Sequence, residues 1–385
     1  MADIYILNQD RIEIGLIDDY ESLIWTPRYF EAGDFEIYMK ASERILSLLQ
    51  LDNYVTRPDS DMVGIIERVK LESDPENGDH IIASGRCAKS ILDRRIVWSM
   101  TTISDTVENG VRRLLTENLI APTLSYRTVP NFVLGASQGF RETMSAQYTG
   151  DNVLEVVVNL CKQNGYGFKV VLNAERNFEF QMYSGTNRSY DQSSNPYIVF
   201  SPEFENIVSS EYEHDKTALR NACNVGGEGE GRLRKFYGVG TVSGLERREM
   251  FVDAKDISSE LDERDDDGDP IYMSNTAYNA LLEQRGLENL AENPETTVFE
   301  GEVESIRQYV FNRDYFLGDV VTVKSKHGVT KTSRVVGVIQ SHDKSGSLII
   351  PAFSYVETPI DEVLSYLLTE NNENLTTEDG ETIVI

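Results

Sequence analysis

The chain has 385 residues, 40% of them apolar, which is enough for two or three domains and too much for one small core. Its 64 acidic against 36 basic residues give a formal net charge of −28, which opposes binding to DNA or to an anionic membrane surface and confines any self-association to locally neutral or apolar patches. Cys87, Cys161 and Cys223 are odd in number and far apart, so a disulfide framework or zinc ribbon is disfavoured and each cysteine reads as a small packed side chain.

The start, MADIYILNQDRIEIG, lacks an apolar core behind a basic end, and no apolar run nears the roughly 18 residues of a membrane span. Synthesis in the cytoplasm without export is the simplest expectation.

Residues 1–100 read mostly as strand. Ile4 to Leu7, Arg11 to Ile17, Phe35 to Lys40, Tyr54 to Arg57, Met62 to Leu71 and His80 to Ser84 are short and rich in β-branched or aromatic residues, and Glu76-Asn77-Gly78-Asp79 signals a hairpin. Ser42 caps a short helix whose Ile45, Leu46, Leu48 and Leu49 are apolar. This is a small β domain, barrel or sandwich.

Residues 101–200 mix helix and strand. Ser104 or Asp105 caps a helix with Val107, Val111, Leu114 and Leu115 on one face, and Pro122 and Pro130 prevent its continuation. A second helix spans about Asp151 to Gln163 with Val153, Leu154, Val157 and Cys161 inward, ended by Gly165. Strands Gly167 to Leu172 and Phe178 to Tyr183 are turned by Asn173 to Asn177.

Residues 201–358 return to strand, from Ile198 through Phe204 to Tyr212. Asn221 to Val225 and Arg232 to Tyr237 read as a hairpin around Gly226-Gly227-Glu228-Gly229-Glu230-Gly231. A charged and helical insert at about 245–295 contains a helix from Ser274 to Glu292, which kinks or stops at Gly286. Strands Val320 to Lys324, Thr332 to Gln340 and Ser347 to Phe353 come next. Residues 359–385 hold a short helix near Ile360 to Leu368 and a flexible acidic tail from Thr369 to Ile385.

The motifs that suggest chemistry lack the context that chemistry needs. The Gly226–Gly231 run has neither the G-x-G-x-x-G spacing of a dinucleotide site nor the Gly-Lys-Ser/Thr of a P-loop, and Glu228 and Glu230 repel phosphate. Gly135-Ala136-Ser137-Gln138-Gly139 matches a nucleophile elbow without the buried strand before it or the apolar helix after it, and nothing marks His214, His327 or His342 as its base. Asp262 to Asp269 has Gly268 where a calcium loop needs glycine but Ser274 where the bidentate Glu belongs, so it reads as a solvated acidic loop. Carboxylate pairs say little in a chain with 64 acids, and an exposed-tryptophan carbohydrate site has only Trp25 and Trp98 to draw on.

Two segments echo each other: Arg28-Tyr29-Phe30-Glu31-Ala32-Gly33-Asp34-Phe35 and Arg313-Asp314-Tyr315-Phe316-Leu317-Gly318-Asp319-Val320 share a Tyr-Phe, a Gly-Asp and a strand after them. With Trp25, the Asn221-x-x-x-Val225-Gly226-Gly227-Glu228-Gly229-x-Gly231-Arg232 hairpin, Glu246-Arg247-Arg248-Glu249, Phe251 to Ile257 and Leu282 to Glu292, they span most of residues 1–355. In this set the chain resembles the tail-tip (baseplate) hub proteins of siphovirus-type long-tailed phages, the Gp37-like hub family.

The resemblance implies an α+β, mainly β chain with two small β-barrel domains, a mixed domain between them and a helical insert in the second barrel. It implies a homotrimeric ring whose six quasi-equivalent barrels meet the six-fold tail tube, closing the tube and passing the genome through an acidic channel. Partners would be further copies of the chain, the distal tail protein and tube above, the tape measure protein, and receptor-binding or penetrating components below. No specific nucleic-acid binding, membrane insertion, cofactor, metal or catalytic residue is expected, and the location is the virion tail tip.

Residues expected at subunit contacts or as structural motifs are Tyr29, Phe30, Gly33, Asp34, Tyr315, Phe316, Gly318 and Asp319, with Gly226, Gly227, Gly229, Gly231, Arg232, Arg234, Arg247 and Arg248 of the hairpin region. A tail-associated hydrolase acting on cell-wall glycan or peptide is the alternative.

Overall fold

A computed structural model describes residues 3–355, apart from 76–77, 205, 207–208, 303–308, 326–327 and 345. The Glu76-Asn77 part of the expected hairpin turn, His327, the helix near Ile360 and the acidic tail lie outside the described residues.

The protein is mainly β with few helices, and one ten-stranded sheet runs through it. In order across most of that sheet lie Ser209–Asp215, Thr296–Glu302, Gly346–Tyr355, Thr330–Asp343, Ser22–Thr26, Asp34–Lys40, Gly78–Arg86 and Arg68–Asp74. Val320–Lys324 also pairs with Thr330–Asp343 and carries Val199–Phe200 on its other side. Among the described residues no sheet closes into a barrel.

The two β regions join because Thr330–Asp343 is long enough to serve both. Its register shifts between Val335 and Gly337; its first half pairs with Val320–Lys324, and Gln340 to Asp343 pair with Trp25 to Ser22. A bulge of this kind bends a strand and lets it change partners. Ser22–Thr26, the other half of that joint, is not among the strands expected from the sequence.

Against the first part of this sheet lies a smaller one, in the order Glu13–Ile17, Ile4–Leu7, Tyr54–Arg57 and Ser60–Ile65. Ile4, Ile6 and Ile17 of one sheet meet Leu23, Trp25, Phe35, Ile37 and Ile81 of the other, and Ile45 and Leu48 of the Glu43–Leu48 helix join them. The Trp25 indole N–H donates to Ser60 Oγ at 3.0 Å, which satisfies the polar atom of a fully buried tryptophan. The strand expected from Met62 to Leu71 is two strands, Ser60–Ile65 and Arg68–Asp74, in different sheets. Between them Ile66 N–H donates to Asn53 and Glu67 N–H to Ser84, so the chain passes from one sheet to the other through buried Ile66 and exposed Glu67 without leaving these backbone N–H groups unpaired.

The middle region has helices Val107–Leu115 and Val153–Asn164 on a three-stranded sheet of Phe132–Leu134, Phe178–Tyr183 and Gly167–Leu172. The first helix is capped by Thr106, whose hydroxyl accepts from Asn109 N–H, because Thr101–Thr106 is itself a strand paired with Thr143–Tyr148. Ser104 and Asp105 are therefore strand residues. Gly165 ends the second helix at φ +67°, as its position predicts.

Residues 219–293 build a separate small layer: Ala222–Gly226 pairs antiparallel with Phe236–Val239 and parallel with Glu249–Asp253, and the Asn275–Ala291 helix covers one face. The helix runs straight past Gly286. A Cβ there would come within 2.7 Å of Val239 and 2.9 Å of Val225, so this glycine serves close packing of helix on sheet. The hairpin's second strand starts only at Phe236, because Gly231–Leu233 is a 3₁₀ turn. All three cysteines are buried and free.

Candidate functional site: a three-way junction and an uncovered sheet face

The two Tyr-Phe segments converge on one place. Tyr29, on the loop between Ser22–Thr26 and Asp34–Lys40, is fully buried and touches all three regions. Its N–H donates to Val336; its hydroxyl donates to the Gly165 carbonyl at 3.0 Å and accepts from Gly185 N–H at 3.2 Å. The ring lies so close to Gly167 and Gly318 that a Cβ at either would fall 2.2 Å from Tyr29 Cε2. The Arg334 guanidinium sits 5.5 Å from the ring centroid and donates to the Gly318 carbonyl at 2.7 Å. Burial raises the Tyr29 phenol above its ordinary value, partly offset by Arg334, so it stays a neutral donor.

The echoing residues do unequal work. Tyr315 is buried in its own core, edge-on to Phe200 at 5.3 Å, while its sequence neighbour Phe316 is exposed. Gly318 needs φ +89°. Asp319 is buried and saturated: it accepts from Thr186 N–H at 2.8 Å, Phe316 N–H at 3.0 Å and Arg188 Nε at 2.8 Å. In the first segment Gly33 lies under the Thr26 carbonyl, where a Cβ would stand 2.4 Å away, and Asp34 pairs with Arg28 at 2.6 Å on a half-exposed edge. Phe30 is half-buried against the middle core.

Lys89 was missed from sequence, although a single lysine within Cys87-Ala88-Lys89-Ser90-Ile91-Leu92 is a usable signal. It is buried, its Nζ donates to the carbonyls of Arg28, Tyr29 and Glu31 at 2.8 to 3.0 Å, and it lies 4.4 Å from the centroid of Phe168. Burial pushes its pKa down to about 8. The ammonium thus pins the Tyr29 loop in place. Beside it is a cavity of about 390 Å³ bordered by Met62, Phe168, Tyr183, Phe311 and Phe316. Its other cations are already paired, Arg28 with Asp34, Lys169 with Asp61 and Arg188 with Asp319, which leaves it poorly suited to capture an anion.

The glycine-rich loop uses its own N–H groups internally. Gly227 N–H donates to Lys235, Glu228 N–H to the Tyr278 hydroxyl at 2.8 Å, and Lys235 N–H back to Glu228. Gly226 and Gly227 are buried against Arg234 and Tyr278, while Gly229 and Gly231 hold positive φ on the exposed tip beside exposed Arg232. Glu228 is drawn to Ser259 and Lys235; burial would raise its carboxyl, but these partners hold it below the ordinary value. Arg234 donates to the Gly226 and Gly227 carbonyls and pairs with Asp253; Arg247 pairs with Glu249 at 2.6 Å, and Arg248 reaches the Lys216 carbonyl.

The Ser137 loop is no nucleophile elbow, since Gly135 to Arg141 form no helix. Its N–H groups at Gln138, Gly139 and Phe140 all donate to the Glu108 carboxylate, at 2.7, 2.8 and 3.1 Å. An oxyanion would find its donors taken. Although burial acts to raise it, the Glu108 carboxyl is held low by these bonds. In the acidic loop, Asp265 turns its carboxylate onto the N–H groups of Asp267 and Asp269 and orders its own turn.

A family model, described as Siphovirus ReqiPepy6 Gp37-like protein, matches residues 3–353. The chain belongs to this family. The Gp37-like fold is also similar to three solved structures. The 43 kDa tail protein of prophage MuSo2 from Shewanella oneidensis is 12% identical with a TM-score of 0.56, covering 91% of this chain and 98% of that one. A tail protein from Neisseria meningitidis MC58 is 14% identical with a TM-score of 0.53, covering 92% and 97%. The prophage tail protein gp18 from Listeria monocytogenes EGD-e is 13% identical with a TM-score of 0.50, covering 95% and 98%. At such identities the likeness is one of fold. No curated protein sequence matches the chain.

Proposed function

We propose that this Gp37-like chain is the structural hub of a phage or prophage tail tip. Three copies form a ring that closes the tail tube, lets the genome pass along an acidic channel and anchors receptor-binding or penetrating components below. The reading is supported most directly by the family match over residues 3–353, joined to a fold shared with prophage tail proteins over nearly their whole length. The buried junction suits such a part. It joins three regions through Tyr29, Lys89 and Asp319, so load on one region passes to the others through paired polar groups and close packing.

On this reading residues 1–100 and 201–358 are the two barrel-like units that a three-fold ring offers to a six-fold tube, with 101–200 between them. The residues act as scaffold and carry no catalytic step. Electron microscopy of the assembled tail tests the proposal by counting copies at the tip. Three copies around a channel wide enough for duplex DNA is the expected result; one or two copies would overturn it.

A further inference from the structure

The small sheet of residues 222–253 has a helix on one face; on the other the Arg234 side chain lies over Gly226, and no further helix or strand packs closely there among the described residues. Alternation along its strands turns Cys223, Val225, Val239 and Val252 toward the helix and sends Asn224, Phe236, Gly238, Phe251 and Asp253 outward. An outward face of this kind is ordinarily polar. Here Phe236 is 53% exposed and Phe251 54%, and the Arg234 guanidinium lies 5.7 and 5.4 Å from their ring centroids. The loops at the two ends of the sheet add Leu233 at 86% and Leu245 at 101% exposure. Added up, these side chains expose on the order of 500 Å² of apolar surface, spread from one end of the sheet to the other.

The geometry points to this face as the seat of a second copy of the same chain, in a head-to-tail contact; the inference rests on the ring proposed above and names the surface that closes it. Charge selects the occupant. From Arg220 to Lys255 there are seven basic and five acidic residues, a local excess of +2 in a chain of −28. Copies with so large a like charge associate only where one of them offers a neutral or basic patch to the acidic remainder of the next. Arg234 has its own Asp253, and Arg247 its own Glu249, so the face is also preorganised and needs no rearrangement to dock. A standard interface buries roughly 800 Å² per partner, so the contact must also take in the polar residues around these side chains.

The test is the mass of the full chain by sedimentation velocity at about 100 µM in 150 mM salt, for wild type and for Leu233→Ser/Leu245→Ser/Phe251→Ser. All three side chains point to solvent, and an unchanged unfolding midpoint confirms that the variant folds. Tyr126→Ser, at another exposed aromatic, is the control. Wild type and control are expected at three times the chain mass and the triple variant at one, with the variant's self-association weakened at least 100-fold. A triple variant that stays trimeric overturns this surface while leaving the ring intact. A monomeric wild type also overturns it, and the copy number in assembled tails then decides the ring separately. If the face is instead protected only when another tail component is added, the occupant is that component and the inference fails.

Discussion

Tyr29→Phe isolates the value of the junction, because it keeps the ring and deletes only the hydroxyl. The Gly165 carbonyl and Gly185 N–H then lose their partner beside a residue with no solvent exposure. Leaving a fully buried polar group unpaired costs about 1–3 kcal/mol; both groups here are half-buried, so the expected loss is about 1–2 kcal/mol. Tyr29→Ala also opens a cavity between Gly167, Gly318 and Arg334, and aromatic-to-alanine changes in cores cost about 3–5 kcal/mol. Allowing for overlap, the sum is about 4–6 kcal/mol, against a total stability of about 5–15 kcal/mol for a typical domain.

In urea unfolding, Tyr29→Phe is expected to lower the midpoint without changing the slope. Tyr29→Ala is expected to split the transition into stages as the three regions release one another. A Tyr29→Phe variant within about 0.3 kcal/mol of wild type, together with a Tyr29→Ala variant that unfolds in one step at the wild-type midpoint, would refute the claim that this residue joins them.

Gly318→Ala combines a forbidding φ of +89° with a Cβ 2.2 Å from Tyr29, so a loss above about 3 kcal/mol is expected, smaller when made in a Tyr29→Ala background; calorimetry of the pair checks the coupling. Glu288, buried on the Asn275–Ala291 helix and bonded to the Tyr148 hydroxyl, has its pKa raised by burial above the ordinary value of 4.5, despite help from Tyr148 and Gln284. A raised carboxyl contributes stability that is complete below the unfolded-state pKa and lost as pH rises through the folded one. Glu288→Gln should therefore gain on wild type as pH rises above the ordinary carboxylate range, and a pH series of melting midpoints reads this out. Glu108→Ala frees three N–H groups around Ser137 and is expected to cost about 1–3 kcal/mol, whereas Ser137→Ala, which removes one exposed hydroxyl bonded to Glu108, should cost about 1 kcal/mol or less and leave the release of labelled fragments from host cell walls unchanged.

Local rules were enough for several elements. The Ser42 cap, the Gly165 stop, the strands Tyr54–Arg57 and Phe178–Tyr183 and the buried cysteines all arise from preferences acting over a few residues, where the physics is the same in any fold. Motif order along the chain was likewise sufficient to point to the family. What needed the tertiary structure was every decision about partners. Met62 to Leu71 reads as one strand although the chain changes sheets at Ile66 and Glu67, because residue composition reports strand propensity and burial and not which strand lies alongside. Gly286 looks like a helix breaker until a sheet lies against it, and Thr106 rather than Ser104 becomes the cap only because its neighbours pair with Thr143–Tyr148. Tyr29 and Gly318 stand 289 residues apart in Tyr-Phe segments that look alike, yet one tyrosine is the junction and the other a core residue. That difference depends on distant backbone carbonyls and on space left by glycines, which only the folded chain brings together.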